Sequence, residues 1–255
     1  MTKILHLAAP VIFLAVLLGV WEAACRGLAV PSYFLPAPSA IGQAVVQNWP
    51  ILLTSAWNTL SFALQALVVA SLIACTIAFL VALNATLERA VQPLAVVLQV
   101  TPVVAIAPQV AIWSGIDHPT RAVIALAALV AFFPIFSGAL RGLKSADPDL
   151  ERLFRLFGAT PLQTLFRLKL PSAAPYLVEG HRVAMGLALV GAVVAEQVAG
   201  SGATQGLAWR ITEAANRLQT AKTFAALVVL SVLAVGLYAI LQALEGFARR
   251  SWGGR

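Results

Sequence analysis

Charged side chains are scarce in this sequence. Only 11% of its 255 residues are Asp, Glu, Lys or Arg, whereas 60% are hydrophobic. A soluble globular protein averages about 25% charged and about 45–50% apolar residues. The composition therefore disfavours a soluble protein and indicates a chain embedded in a lipid bilayer.

Cysteine and histidine are also few, and their spacing does not suggest chemistry. Cys25 and Cys75 lie inside apolar stretches, without the spacing of a metal site or a disulfide framework. The three histidines are scattered along the chain. We therefore expect no metal site. The sequence also lacks zinc-protease and nucleophile-elbow motifs, so we expect no enzymatic site either.

The stretch "GALRGLKS" (138–145) superficially resembles a phosphate-binding loop. Its glycine and lysine are not adjacent, its spacing is wrong, and it follows an apolar run that predicts a membrane span. We therefore expect this chain to bind no ATP and no other cofactor itself.

The net charge of +7 has two possible meanings. Nucleic-acid binding requires a basic face or a recognised reading module. Here the charges gather between the apolar runs, which fits lipid headgroups and membrane topology better. We expect contacts with membrane lipids and no nucleic-acid partner.

Six apolar stretches are long enough to cross a membrane as helices, which takes roughly 20 residues. They lie at about 7–25, 58–83, 91–114, 122–141, 176–199 and 223–244. The first also resembles a secretory signal, but Glu22 is a poor fit to cleavage after Ala24. We interpret it as an uncleaved span, with a trimmed N-terminus as the alternative. The sequence predicts one membrane domain over 1–255.

The loop charges predict the orientation of these spans. With a cytoplasmic N-terminus, twelve of the 17 Lys and Arg residues fall on the cytoplasmic side and five on the other. Cytoplasmic loops carry the excess of Lys and Arg. We therefore expect both termini and residues 142–175 to be cytoplasmic. A short interfacial helix is expected from Ser39 onward, on the opposite side.

Residues 147–171 interrupt the apolar runs with two helix starts. Asp147 can cap a first helix with Pro148 at its first position. Gly158 is well placed to end that helix in a left-handed conformation. The spacing predicts one apolar stripe made of Leu150, Leu153, Phe154 and Phe157.

The second start is a capping box. Thr160 is the cap, Pro161 takes the first helical position and Gln163 follows three residues after the cap. We expect about two helical turns that end at Pro171, because proline disfavours helix for the residue before it. The residues presented together on one face would be Leu162, Leu165 and Phe166. Such a helix either lies flat on the membrane or docks into a groove of a partner.

A family resemblance favours docking. Gly158, followed after nine residues by "LKLP" (168–171), resembles the cytoplasmic "EAA" loop of ABC importer permeases. "VTPVVAIAPQVAIWSG" (100–115) resembles the proline-broken third helix of that family. "LPSAAPYLVEGHRVAMGLALVGAVVAE" (170–196) resembles its fifth helix. The loop "SGATQGLAWRI" and the last span resemble the nitrate/sulfonate/taurine-type branch, and similarity covers roughly residues 30–245.

The resemblance implies that the loop forms a coupling helix in a cleft of an ATPase subunit. The residues it assigns to coupling are Glu151, Arg155, Gly158, Thr160, Pro161, Leu162, Gln163, Leu165, Phe166 and Pro171. One departure concerns the motif glutamate, which the family places six residues before the glycine. Arg152 stands at that position, and Glu151 precedes it by one residue.

The candidate pathway residues lie in the third and fifth spans. Prolines in the third span free backbone carbonyls, which in lipid need partners or a water-lined cavity. Polar neighbours would either line that cavity or bridge helix to helix. Glu196, near the outer end of the fifth span, either lines the pathway or pairs with Arg210 or Lys222. The other candidates are Gln99, Thr101, Pro102, Pro108, Gln109 and Trp113.

These features together predict an all-α integral membrane protein with six transmembrane helices and a cytoplasmic coupling helix between helices 4 and 5, similar to type I ABC importer permeases. The resemblance implies a permease in the bacterial inner membrane, paired with a second copy. It also implies two ATP-binding cassette subunits that carry ATP and magnesium, and an extracytoplasmic substrate-binding protein. The expected solute is a sulfonate, taurine, nitrate or a vitamin precursor. The alternatives are an ion-coupled secondary carrier and a non-transporting membrane scaffold.

Overall fold

The computed structural model describes residues 2–115, 117–199, 202 and 204–252, and every regular element in these ranges is a helix. The helices are α1 (Thr2–Gly27), α2 (Pro38–Gln47), α3 (Trp49–Ala82), α4 (Ala85–Val100), α5 (Val103–Ser114), α6 (Pro119–Leu143), α7 (Pro148–Leu156), α8 (Pro161–Thr164), a π-helical turn (Leu165–Lys169), α9 (Leu170–Ala199), α10 (Leu207–Asn216) and α11 (Thr220–Trp252). The all-α fold is confirmed. Helix α10 lies where the sequence predicted none.

Within the described residues, five helices are long and apolar enough to cross a membrane. They are Ala9–Gly27, Trp49–Ala82, Pro119–Leu143, Pro161–Val198 and Thr220–Ala243. A sixth span exists only if α4 and α5 are counted as one, because they meet at an angle of 100°.

The bend between α4 and α5 has a local cause. Thr101 is extended (φ −66°, ψ 123°), and Pro102 stands as the N-cap of α5. Proline disfavours helical geometry for the residue before it and cannot donate a backbone hydrogen bond. The stretch 91–114, predicted as a single span, is therefore two short helices joined at this proline.

The chain divides into two compact units. The first comprises Met1–Trp57 and Gln205–Leu233, and the second comprises Asn58–Thr204 and Ala234–Arg255. In the first unit, the ring of Trp21 packs edge-on against Phe224, with ring centroids 6.1 Å apart. The short helix expected from Ser39 onward is present as α2. The Ser39 N–H donates to Glu22 Oε2 of α1 over 2.9 Å, which ties the two helices together.

The second unit is built around the contact between α6 and α9. A Cβ placed on Gly180 of α9 would lie 2.8 Å from the carbonyl oxygen of Pro134 in α6. A Cβ on Gly138 of α6 would lie 2.9 Å from the carbonyl oxygen of Tyr176. Small residues allow helix backbones to approach this closely in membranes. Completely buried alanines continue the contact, among them Ala127, Ala131, Ala139, Ala184, Ala188 and Ala192.

We predict that Gly180→Ala destabilises the protein by about 1–3 kcal/mol, the usual cost of overpacking. The new methyl group would meet backbone atoms of α6, which cannot move independently of their helix. Gly186→Ala is the matched control on α9, because a Cβ at that residue would have no atom within 4 Å. Thermal unfolding in detergent should show a lower midpoint for the first variant and an unchanged or higher one for the second. Equal midpoints would contradict the packing described above.

Candidate coupling segment and pathway residues

The first half of the 147–171 segment forms as its sequence predicts. The Asp147 side chain accepts a hydrogen bond from the N–H of Asp149 (2.8 Å), which caps α7. Gly158 has φ 71°, and the adjacent N–H of Ala159 donates to the carbonyl of Phe154 (3.0 Å). A left-handed residue at this place ends a helix by satisfying its last carbonyls. Both ends of α7 are therefore fixed by local sequence.

The predicted capping box is also confirmed. The N–H of Gln163 donates to Thr160 Oγ1 (3.3 Å), and the N–H of Thr160 donates to Gln163 Oε1 (2.8 Å). Pro161 takes the first helical position of α8, where its missing N–H costs no hydrogen bond. The capping box and the proline therefore fix the start of α8 at Pro161.

The predicted helix end at Pro171 is wrong. Pro171 lies in the first turn of α9, and the chain stays helical from Pro161 to Ala199. The π-helical turn immediately before it is closed by the N–H of Leu170, which donates to the carbonyl of Leu165. A π turn has one residue more per hydrogen-bonded ring than an α turn, and it often marks a functional site. This wider turn accommodates the proline and makes α8 continuous with α9.

The apolar residues of the segment separate into exposed and buried groups. Leu162 and Phe166 are four residues apart and remain 57% and 62% exposed. Leu165, expected on the same face, is only 5% exposed and lines a cleft with Leu83 and Arg155. The prediction that Leu165 shares the exposed face is therefore wrong, because the chain uses it for internal packing. On α7, Leu156 and Phe157 are the most exposed apolar residues of the segment, while Leu150 and Leu153 are less so.

An ion pair joins the two halves of the segment. Lys169 Nζ of the π turn lies 3.1 Å from Glu151 Oε1 of α7, and each side chain is about a quarter exposed. Arg152 points elsewhere and pairs with Asp149 on the surface (2.9 Å). Glu151 therefore faces the second helix of the segment, even though its position is shifted by one residue from the family motif. Arg155 is exposed and lines the cleft beside Leu165.

Glu196 is completely buried within the second unit. Its Oε1 accepts a hydrogen bond from Thr59 Oγ1 of α3 at 2.8 Å. Arg210, one of the two alternative partners considered for it, is ion-paired with Glu213 (2.9 Å). Sequence reasoning missed Thr59, because a single threonine in an apolar helix gives no signal of its partner.

A second polar contact joins the same two helices. Ser71 Oγ of α3 lies 2.8 Å from His181 Nε2 of α9, and His181 Nδ1 lies 2.7 Å from the carbonyl oxygen of Leu177. A hydrogen on Nδ1 satisfies that carbonyl and leaves Nε2 to accept from the serine hydroxyl. Nothing in the sequence around Ser71 or His181 indicates that the two side chains meet.

The candidates in α4 and α5 lie at the surface of the single chain. The exposed ones are Gln99, Pro102, Pro108, Gln109 and Trp113, and Thr101 is partly exposed. Thr101 Oγ1 donates to the carbonyl of Val97 (2.7 Å), back into its own helix. Neither Gln99 nor Gln109 has a side-chain hydrogen bond to any described residue. The alternative that they bridge helices inside one chain is therefore not observed in the described part.

Comparisons with known proteins show which family has this architecture. The family model for the binding-protein-dependent transport system inner membrane component matches residues 70–250. The chain is 32% identical to the formylaminopyrimidine transport permease protein ThiX of Halalkalibacterium halodurans, over 92% of either chain. It is 28% identical to the taurine transport system permease protein TauC of Escherichia coli, over 91% of this chain and 85% of that one. The riboflavin transport system permease protein RibX of Chloroflexus aurantiacus is 32% identical, over the same shares.

A solved structure shows the same fold. A chain of the MetNI methionine ABC transporter, from a structure of its inward-facing conformations, superposes with a TM-score of 0.68. The match covers 81% of this chain and 98% of that chain at 19% identity. The resemblance drawn from the sequence is therefore confirmed: this chain belongs to the binding-protein-dependent transport system inner membrane components, and it is a permease subunit of an ABC importer.

Proposed function

We propose that Leu162 and Phe166 form the face by which this permease docks into a groove of an ATPase subunit. The observation that carries the proposal is the exposure of both side chains on a helical segment with a fixed start. This segment continues without a break into α9. Large apolar side chains four residues apart are the usual anchors of a helix in a groove. Leu156 and Phe157, at the end of α7, are further exposed apolar residues of the same segment.

In this proposal the nucleotide is bound by partner subunits, each carrying ATP and magnesium. Closure of two ATPase subunits on ATP moves the docked helices, and the π turn transmits that movement to α9. The ion pair between Glu151 and Lys169 supports this role, because it ties α7 to the moving helix. Hydrolysis then resets the assembly, so that the permease alternates between outward-open and inward-open states.

Two copies of the chain form the solute pathway in our proposal. Gln99, Gln109 and Trp113 are exposed on the single chain, and the residues next to them in sequence are mostly apolar. Unpaired amide side chains are costly in contact with lipid tails. A second copy or a water-filled pathway between the copies would remove that cost, which favours a symmetric pair.

The solute reaches the pathway from an extracytoplasmic binding protein, and both termini of the chain lie in the cytoplasm. The excess of Lys and Arg in the loops assigned to the cytoplasm supports this orientation. The names of the relatives favour a small organic solute, such as a pyrimidine or riboflavin-type vitamin precursor or a sulfonate of the taurine type. Nitrate is the inorganic member of the proposed class.

We predict that Phe166→Asp removes co-purification of the ATPase, and that Leu162→Asp does the same. A carboxylate forced into an apolar groove loses the anchoring contact, which is worth about 2–4 kcal/mol for a large interface side chain. Phe166→Leu is the matched control, because it keeps an apolar side chain at the same place. Affinity purification through a tag on the permease measures the yield of ATPase per permease. Full ATPase yield with both aspartate variants would contradict the docking assignment.

We also predict that Glu196→Gln lowers ATP-driven uptake by about tenfold while the complex still assembles. The glutamine keeps the length of the side chain but replaces the carboxyl group that accepts the bond from Thr59, and a typical hydrogen bond is worth about 0.5–1.5 kcal/mol. Glu179→Gln is the control on the same helix, since Glu179 is exposed. Uptake into proteoliposomes is compared at equal amounts of assembled complex. If both variants transport like the natural protein, Glu196 has a structural role only.

A further inference from the structure

A basic cleft lies in the first unit, where α10 ends and where α3 and α11 begin. Its cavity is about 170 Å³. Arg210, Glu213 and Arg217 come from α10 and its C-terminal cap, Lys222 comes from the first turn of α11, and Asn48 precedes α3. None of these residues belongs to the 147–171 segment or to α4 and α5, so the proposed function leaves the cleft unexplained.

The charges in the cleft are unbalanced. Glu213 is shared by two guanidinium groups, with Arg210 Nη1 at 2.9 Å and Arg217 Nη2 at 2.9 Å. Arg210 Nε also donates to Ser55 Oγ (3.1 Å), a hydroxyl that is 1% exposed. Lys222 forms no ion pair with any described residue. Three cations thus surround one carboxylate, and the cleft keeps two positive charges in excess.

This arrangement suits a phosphate-type oxyanion. Arg210 is held by two partners, so its remaining donors are fixed in direction, and planar guanidinium groups bind tetrahedral oxyanions with parallel hydrogen bonds. Arg217 is 65% exposed and Lys222 is exposed, so both can reach a ligand from the rim without breaking the bonds of Arg210. The cleft therefore combines a fixed arginine at its floor with two exposed cations at its rim.

The surroundings of the cleft point to a lipid as the source of that oxyanion. Trp49 and Thr220 are the first residues of two helices that are long and apolar enough to cross a membrane, so the cleft lies at one end of both helices. Aromatic side chains typical of the headgroup region are exposed beside it, with Trp49 49% and Tyr33 70% exposed. Thr220 Oγ1 donates to the carbonyl of Tyr33 (2.7 Å), which holds this aromatic segment against the start of α11.

Leu218 adds an apolar anchor next to the cations. It occupies the left-handed region (φ 56°), which is unfavourable for a leucine, and its side chain is 80% exposed. The conformation itself ends α10, because the N–H groups of Leu218 and Gln219 donate to the carbonyls of Ala215 and Ala214. The exposed side chain favours a lipid, because the acyl chains of a phospholipid can cover the leucine while its phosphate meets the arginines and the lysine.

We propose that this cleft binds the phosphate of an anionic phospholipid in the leaflet where α3 and α11 begin. The excess of two positive charges favours phosphatidylglycerol over the zwitterionic phosphatidylcholine. The lipid would fix α10 to the starts of α3 and α11 within the first unit.

The test is native mass spectrometry of the purified transporter, titrated with phosphatidylglycerol, with phosphatidylcholine and with inorganic phosphate. The variant carries Arg217→Gln and Lys222→Gln together, which leaves Arg210 with both its partners. Arg121→Gln, an exposed arginine at the start of α6, is the control. Removing two cations near a headgroup should weaken phosphatidylglycerol binding about thirtyfold, while the control binds as the natural protein does.

Three outcomes would overturn the proposal. One is equal phosphatidylglycerol affinity in the double variant and the natural protein. Another is equal affinity of the natural protein for the two phospholipids. The third is retention of inorganic phosphate as tight as that of the lipid, which would assign the cleft to a soluble anion. ATPase co-purification should be unchanged in the double variant, so this test is independent of the docking face on α8.

Discussion

The close approach of α6 and α9 is the contact on which the second unit depends. Gly138 and Gly180 bring the two backbones so near that a single methyl group on either would collide with a carbonyl oxygen of the other helix. Sliding or rotating one of these helices against the other would bring larger side chains into the close contact, and overpacking of this kind costs about 1–3 kcal/mol. We therefore expect α6 and α9 to move together.

The continuity between α8 and α9 extends this rigid contact to the exposed residues of α8 and the π turn. A π turn, not a loop, connects the exposed face of Leu162 and Phe166 to the span that packs on α6. The ion pair from Glu151 to Lys169 adds α7 to the same body. A force applied at Leu162 and Phe166 thus reaches α9 through hydrogen-bonded helix, in keeping with the place of this chain among ABC importer permeases.

Much of the fold was predictable because it depends on local rules. Apolar length located the spans, and Asp147, Gly158 and the Thr160–Gln163 box specified both ends of α7 and the start of α8. Contacts between distant residues were not predictable. The 100° bend at Pro102, the burial of Leu165 and the bonds of Thr59 to Glu196 and of Ser71 to His181 depend on which helices meet. The prediction that the helix ends at Pro171 failed, because the rule that proline ends a helix does not allow for a π turn immediately before the proline.

In the proposed mechanism the docking face and α9 move as one body, and an insertion at their junction separates the two. Two glycines placed between Lys169 and Leu170 leave the capping box, Leu162, Phe166 and the Glu151–Lys169 pair in place but break the helix beyond them. ATP-driven uptake is then measured beside the yield of bound ATPase. We expect the ATPase to stay bound while uptake falls to the level seen without nucleotide. Undiminished uptake by the insertion variant would show that α8 and α9 need not move as one body.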